Sequence, residues 1–354
     1  MRRLLVVVTA ALATLGLLTG CARRQTGEPP ANDQGPAAEL RLGYLPTITH
    51  AAALIGVERG VLAGQLGATT LSTQTFNAGP DEVNALLGGS LDAAFLGPGP
   101  AISAFSKSSG AAVRLVAGVA SGGVQLVVRP EITTPRQLAG RRIATPQLAN
   151  TQDIALKTWL AGQHLPTGTA PGAVSIVNID NAQAVNAYRG GQLDGGWLPE
   201  PYPSRLVAEA GAHVLVDEAS LWPGGQFPTT VLIVRTGYLQ QHPQTVTALL
   251  RGLLQVEDYA RTDPAGAKAA TNSALTRLAG KPLAGPVLDR AWGDITLTTD
   301  PLAAQFPQLA AHSVTAGVAT SPPDLHGFVD LGPLNAVLTA AGQSPVDPAG
   351  LDRR

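Results

Sequence analysis

The sequence predicts an α/β fold of two lobes, each a mostly parallel sheet flanked by helices. Three observations carry this. Short strand patterns alternate with helix patterns from about residue 39 to residue 242, the order that builds parallel sheets with crossover helices. One phrase occurs twice, VNALLGGSLD at 83–92 and VNAYRGGQLD at 185–194, with seven of ten residues identical at a distance of 102 positions. That period is too long for a solenoid and fits one supersecondary unit used once per lobe. Two apolar strands, at 124–129 and 230–235, frame the second copy. The expected division is therefore 39–123 plus 230–354 for the first lobe and 124–229 for the second.

The elements follow in order. LRLGYL at 40–45 alternates and reads as a strand, and a helix from Thr49 or His50 closes at Gly60. A second strand covers 69–76. Pro80-Asp81-Glu82 opens a helix, with proline in the first turn and acids at the positive helix end; it stops at Gly88-Gly89 before a strand at 92–96. A helix from Pro100 or Ala101 and a strand at 113–117 complete the first unit. The pattern restarts with a strand at 124–129, a short helix at 134–138, a strand at 142–144 and a helix from Asn150 to about Trp159. Strands at 174–177, 194–198 and 212–216 alternate with helices at 181–189 and 204–210. After the strand at 230–235 the chain reads as almost entirely helical; Val246, Leu249, Leu250 and Leu253 recur at helical spacing.

The N-terminus reads as an export signal. Arg2 and Arg3 precede an apolar run from Leu4 to Leu18, followed by Leu18-Thr19-Gly20-Cys21; the run is short of the roughly 20 residues a spanning helix needs. Cys21 is the single cysteine, so no internal disulfide can form. Residues 22–38 lack apolar periodicity and read as a flexible tether that holds the body about 20–25 Å from the membrane. With 14% charged residues and a net charge of −1, the chain has no basic stripe for nucleic acid.

Sequence patterns for catalysis and metal ligation are missing: no G-x-S-x-G, H-E-x-x-H, C-x-x-C, Walker A or G-x-G-x-x-G occurs, and no two histidines share ligand spacing. Neither a metal nor a cofactor is expected. Binding chemistry sits after strands, where open α/β sheets hold ligands. Five loops qualify: Thr47, Thr49 and His50; Gly97, Pro98 and Gly99; Ser121, Gly122 and Gly123; Gln147, Asn150, Thr151 and Gln152; Trp197 and Glu200. Three of them precede helices, whose first N–H groups hold anions without a full charge. Trp197 reads equally as core or as a stacking ligand contact. No Arg or Lys lies in these loops. Glu200 reads as a holder of a ligand amine or as a partner of Arg205.

LRLGYLPTITHAAALIGVERGVLA, FNAGPDEVNALLGGSLDAAFLGPGPAI, GRRIATPQLANTQDIALKTWL and GQLDGGWLPEPYPSRLVAEAG resemble the substrate-binding lipoproteins of nitrate/sulfonate/bicarbonate-type ABC importers, most of all the aliphatic-sulfonate branch. The resemblance covers most of residues 40–260. It implies a type II periplasmic-binding-protein fold that closes on a small anionic or zwitterionic solute, such as an aliphatic sulfonate, taurine, nitrate or bicarbonate. It implies delivery to an ABC permease and its ATPase, no enzymatic activity, ligand contacts in the five loops, and a monomer. The Leu-Thr-Gly-Cys stretch resembles a lipobox, which implies a lipid on Cys21 and an extracytoplasmic, membrane-anchored protein. Two alternatives stay open: an enzyme on the same fold, in desulfination or thiamine-pyrimidine chemistry, and an extracytoplasmic sensor or adaptor.

Overall fold

The computed structural model describes residues 32–352; the signal, Cys21 and the first part of the tether lie outside them. The chain runs β1 (Glu39–Tyr44), α1 (Ala51–Glu58), α2 (Val61–Leu66), β2 (Thr70–Thr75), α3 (Gly79–Leu87), β3 (Ala93–Leu96), α4 (Pro98–Lys107) and β4 (Val113–Gly122). Then come β5 (Val124–Val128), β6 (Arg142–Thr145), α5 (Thr151–Gly162), β7 (Ser175–Asn178), α6 (Asn181–Arg189), β8 (Gly195–Pro199), α7 (Tyr202–Ala210), β9 (His213–Asp217) and β10 (Pro228–Arg235). The rest comprises α8 (Thr236–Gln241), α9 (Pro243–Thr262), α10 (Pro264–Ala279), α11 (Gly285–Gly293), β11 (Ile295–Leu297), α12 (Phe306–Thr315) and α13 (Gly332–Ala340).

Two sheets result, ordered β11-β4-β10-β3-β1-β2 and β7-β6-β8-β5-β9. Each is parallel on one side, through β1 with β2 and β3 or β6 with β7 and β8, and antiparallel on the other. The antiparallel side comes from the crossing. β4 and β5 are almost one strand, broken at Gly122–Gly123, so the chain leaves one sheet and enters the next against its neighbours' direction. Gly122 and Gly123 lie at φ 81° and 73°. A Cβ on them would meet Asp294 O at 2.6 Å and Ile295 Cγ2 at 2.4 Å, so this crossing needs glycine.

The repeated phrase is a repeated frame. Val83 and Val185 are buried under their sheets, and Gly88-Gly89 and Gly190-Gly191 end α3 and α6. The Asp92 carboxylate then accepts the N–H of Arg41 at 3.0 Å, and Asp194 accepts that of Arg142 at 2.8 Å. The Arg235 N–H donates to Asp92 O at 2.9 Å, and Arg129 to Asp194 O at 2.9 Å. In both copies the aspartate carboxylate satisfies the N–H just before the point where the adjacent parallel strand begins to pair, at Leu42 or Ile143, a donor that the sheet ladder does not reach.

Helices cover both faces of the central strands, so successive residues of β3, β4, β5 and β8 are buried whichever way they point, while the outer strand β2 stays largely exposed. α1 is apolar all round and lies wholly in the core over most of its length. Beyond one- or two-residue shifts, the structure adds α2, which the sequence reading lacks, and departs from that reading in three further places. β4 runs on to Gly122, because its far half pairs with β10 and β11. β11 interrupts the C-terminal helices. Part of the expected tether is docked: the Gln34 N–H donates to Gln241 O at 2.7 Å and the Ala37 N–H to Thr245 Oγ1 at 2.9 Å. No helix among the described residues is long and apolar enough to cross a membrane.

Candidate functional site

The ends of β1, β3, β6, β7 and β8 converge on one cleft between the sheets. Its walls carry Thr47, Thr49, His50 and Gly97 from one side and Asn150, Gln152, Asn181 and Pro199 from the other, with Asn77 and Thr229. The enclosed space is about 20 Å³, close to the room one water needs. The walls therefore nearly meet. The Gly99 N–H at the start of α4 donates to Thr151 Oγ1 at the start of α5, at 3.2 Å. The Ile48 N–H donates to Glu200 O at 3.0 Å.

His50 organises one wall. Its Nε2 lies 3.2 Å from Phe95 O, which can only accept, so Nε2 carries the hydrogen and Nδ1 accepts. Thr47 Oγ1 and Thr49 Oγ1 lie 2.9 and 3.2 Å from Nδ1 and 3.0 Å from each other. One hydroxyl proton goes to Nδ1; the other stays available to a bound group. Burial lowers the His50 pKa from 6.5 to about 3, so the ring is neutral.

The opposite wall is built from caps. Asn150 Oδ1 accepts the Thr151 N–H at 2.7 Å, which leaves the Asn150 amide hydrogens free to donate. Asn181 heads α6, and its buried Oδ1 has no partner among the described residues. Among the described residues no charged side chain lines the cleft. The positive ends of α4, α5 and α6 face it instead, with the turn at Ile48–His50. Neutral donors and helix ends suit a single negative charge or a zwitterion.

Of the predicted residues, Thr47, Thr49, His50, Gly97, Asn150 and Gln152 line this space. Pro98, Gly99 and Thr151 form the seam beside it. Gln147 is not on the cleft wall, although its Oε1 is buried without a partner among the described residues. Ser121, Gly122 and Gly123 belong to the crossing: Ser121 Oγ accepts the Phe227 N–H at 3.2 Å, and Gly122 O accepts the Thr229 hydroxyl.

Trp197 is core. It is fully buried, tilted against Trp159 at 5.7 Å, and its Nε1–H donates to Glu218 Oε2 at 2.7 Å. Its ring packs on Trp159 of α5 and is not part of the cleft wall. Glu200 pairs with Arg290 at 2.9 Å rather than with Arg205, which lies 3.5 Å from Glu209. Burial raises the Glu200 pKa from 4.5 to about 8, and the Ser204 N–H and Arg290 pull it back. Arg290 also donates to Ser204 Oγ at 2.7 Å and to Gln125 Oε1.

The sequence reading missed Asn77, Asn181 and Thr229. The signal was present for two of them: Asn77 and Asn181 follow β2 and β7 and stand at or just before helix starts, the same junction that singled out the other loops.

A model of the NMT1-like family matches residues 33–275. The taurine-binding periplasmic protein of Escherichia coli (strain K12) is 30% identical over 218 residues, which cover 60% of this chain and 65% of that relative's length. The fold is that of solved type II periplasmic binding proteins. The alkanesulfonate-binding protein SsuA of Xanthomonas axonopodis pv. citri, bound to MOPS, superposes with a TM-score of 0.65 at 22% identity, covering 81% of this chain and 96% of that one. The periplasmic nitrate-binding protein NrtA of Synechocystis PCC 6803 gives 0.69 at 16% identity, covering 88% and 92%.

Proposed function

This chain belongs to the NMT1-like family, and we propose that it is the extracytoplasmic solute-binding component of an ABC importer. It captures a small monoanion or zwitterion between two lobes, 39–123 plus 230–354 and 124–229, and delivers it to a permease driven by an ATPase. The observation that carries this is the cleft: it gathers helix N-termini and neutral donors from both sheets and, among the described residues, has no charged side chain on its walls. A doubly charged anion would bring more charge than these partial charges balance, so a sulfonate, taurine, nitrate or bicarbonate fits better than sulfate. The name of the taurine-binding relative supports a sulfonate with an amine, for which the unpartnered Asn181 Oδ1 is a ready acceptor.

Closure follows from the frame. The β4–β5 crossing at Gly122–Gly123 and the return into β10 join the lobes, and the Gly99–Thr151 and Ile48–Glu200 contacts tie them when shut. A ligand touching both walls shifts the population toward the shut form, which the permease reads. A lipid on Cys21 anchors a monomeric body to the membrane, with no nucleic acid involved. Binding without catalysis is favoured because His50 Nδ1 already accepts a threonine hydroxyl and Nε2–H is held by Phe95 O.

Calorimetry of the folded protein against taurine, butane-1-sulfonate, nitrate and bicarbonate tests this. At least one should bind with a micromolar Kd or tighter, and His50→Ala and Asn150→Ala should each weaken it tenfold or more. A folded protein that binds none of them overturns the reading.

A further inference from the structure

Beside the cleft, past the Gly99–Thr151 seam, lies a second and much larger space of about 380 Å³, walled by α4, α5 and the end of α12. Its size is that of a small-molecule site. Ile102, Leu148, Ile154 and Val318 give it apolar walls, and Lys107 and Lys157 stand on its lining. Large apolar side chains are rarely left in water on the described surface. Five qualify, and two of them, Leu148 at 60% and Val318 at 37% exposure, border this one space.

The exposure of Leu148 is built in. Ala149 takes a left-handed turn at φ 63°, and its N–H donates at 2.9 Å to the buried Asp153 carboxylate. That bond fixes the loop with Leu148 outward. Lys157 is held by Asp153 at 2.7 Å, whereas Lys107 makes no ion pair with a described residue and gives the space a net positive charge. The wall at 313–323 lies beyond residue 275, where the family match ends.

We propose that this space is a second ligand site, which takes an amphiphilic monoanion with a medium-length apolar chain. The chain lies along Ile102, Leu148, Ile154 and Val318, and the anionic group meets Lys107. The site is distinct from the cleft, with which it shares no lining residue. The inference does not depend on which solute the cleft holds.

Calorimetry with octanoate tests it, with acetate and 1-octanol as the arms lacking the chain and the charge. Octanoate should bind at least tenfold more tightly than either. Leu148→Asp and Lys107→Glu, both surface changes, should each weaken octanoate fivefold or more, whereas the cleft variant Asn150→Ala should leave it within twofold. Loss of octanoate binding in Asn150→Ala with no change in Leu148→Asp would place the ligand in the cleft and overturn the proposal. So would a failure of octanoate to bind the folded wild-type protein.

Discussion

Replacing Arg290 with methionine should destabilise the protein in a strongly pH-dependent way. Glu200 is completely buried, and Arg290 is the only basic group within salt-bridge distance of its carboxylate among the described residues. Removing one partner of a buried pair costs about 3–5 kcal/mol when the other stays charged. The sign follows from the raised Glu200 pKa, 4.5 to about 8. The folded state binds the extra proton, so the stability it contributes is full below about 4.5 and is lost as pH rises through about 8. Arg290 holds that pKa down, so its loss extends the decline to higher pH. Near pH 5 Glu200 is protonated, and Arg290→Met should forfeit only its hydrogen bonds, about 1–2 kcal/mol. At about pH 8.5 the deficit should approach the full 3–5 kcal/mol of a broken buried pair. Urea melts of the wild type, Arg290→Met and Arg290→Met/Glu200→Gln across this range measure it. The double variant should recover most of the high-pH loss. A deficit in Arg290→Met that is flat with pH, or a double variant no better than the single one, would refute the reasoning.

Three further outcomes are expected. A Cβ on Gly97 would stand 2.3 Å from Thr151 Oγ1, so Gly97→Ala should weaken ligand binding tenfold or more by propping the seam, and Thr151→Ala should partly restore it; unchanged affinity by calorimetry would count against closure at this point. His50, with its pKa lowered from 6.5 to about 3, contributes stability that is present above 6.5 and lost as pH falls toward 3; His50→Gln should flatten that acid limb in urea melts, and an unaltered slope would sink the assignment. Trp197→Phe should cost about 1–3 kcal/mol by leaving the buried Glu218 carboxylate short of a donor, while changing ligand affinity less than twofold; a large affinity loss with little loss of stability would return Trp197 to the cleft.

How much was legible in advance differs element by element. The alternation of patterns gave nearly every strand and helix, because local periodicity and turn chemistry are written in consecutive residues. The strand-to-helix rule picked out Thr47, Thr49, His50, Gly97, Asn150 and Gln152, which the structure places on the cleft wall, since it reads where strands end. It also picked Trp197 and Glu200, which lie off the cleft wall: a central strand such as β8 is buried at every position, and nothing local says which side chains reach the cleft. It overshot at Ser121–Gly123 because a strand that crosses between sheets looks, in sequence, like one that stops before a loop.

By itself the sequence determined the two repeated frames. A valine under the sheet, a glycine pair to end the helix and an aspartate at the turn into the next strand all lie within ten residues. Tertiary structure alone decided the charges. Arg290 reaches Glu200 from 90 residues away along the chain, and the second compartment takes walls from α4, α5 and α12. Such contacts depend on how far elements approach in space, and sequence separation carries no information about that distance.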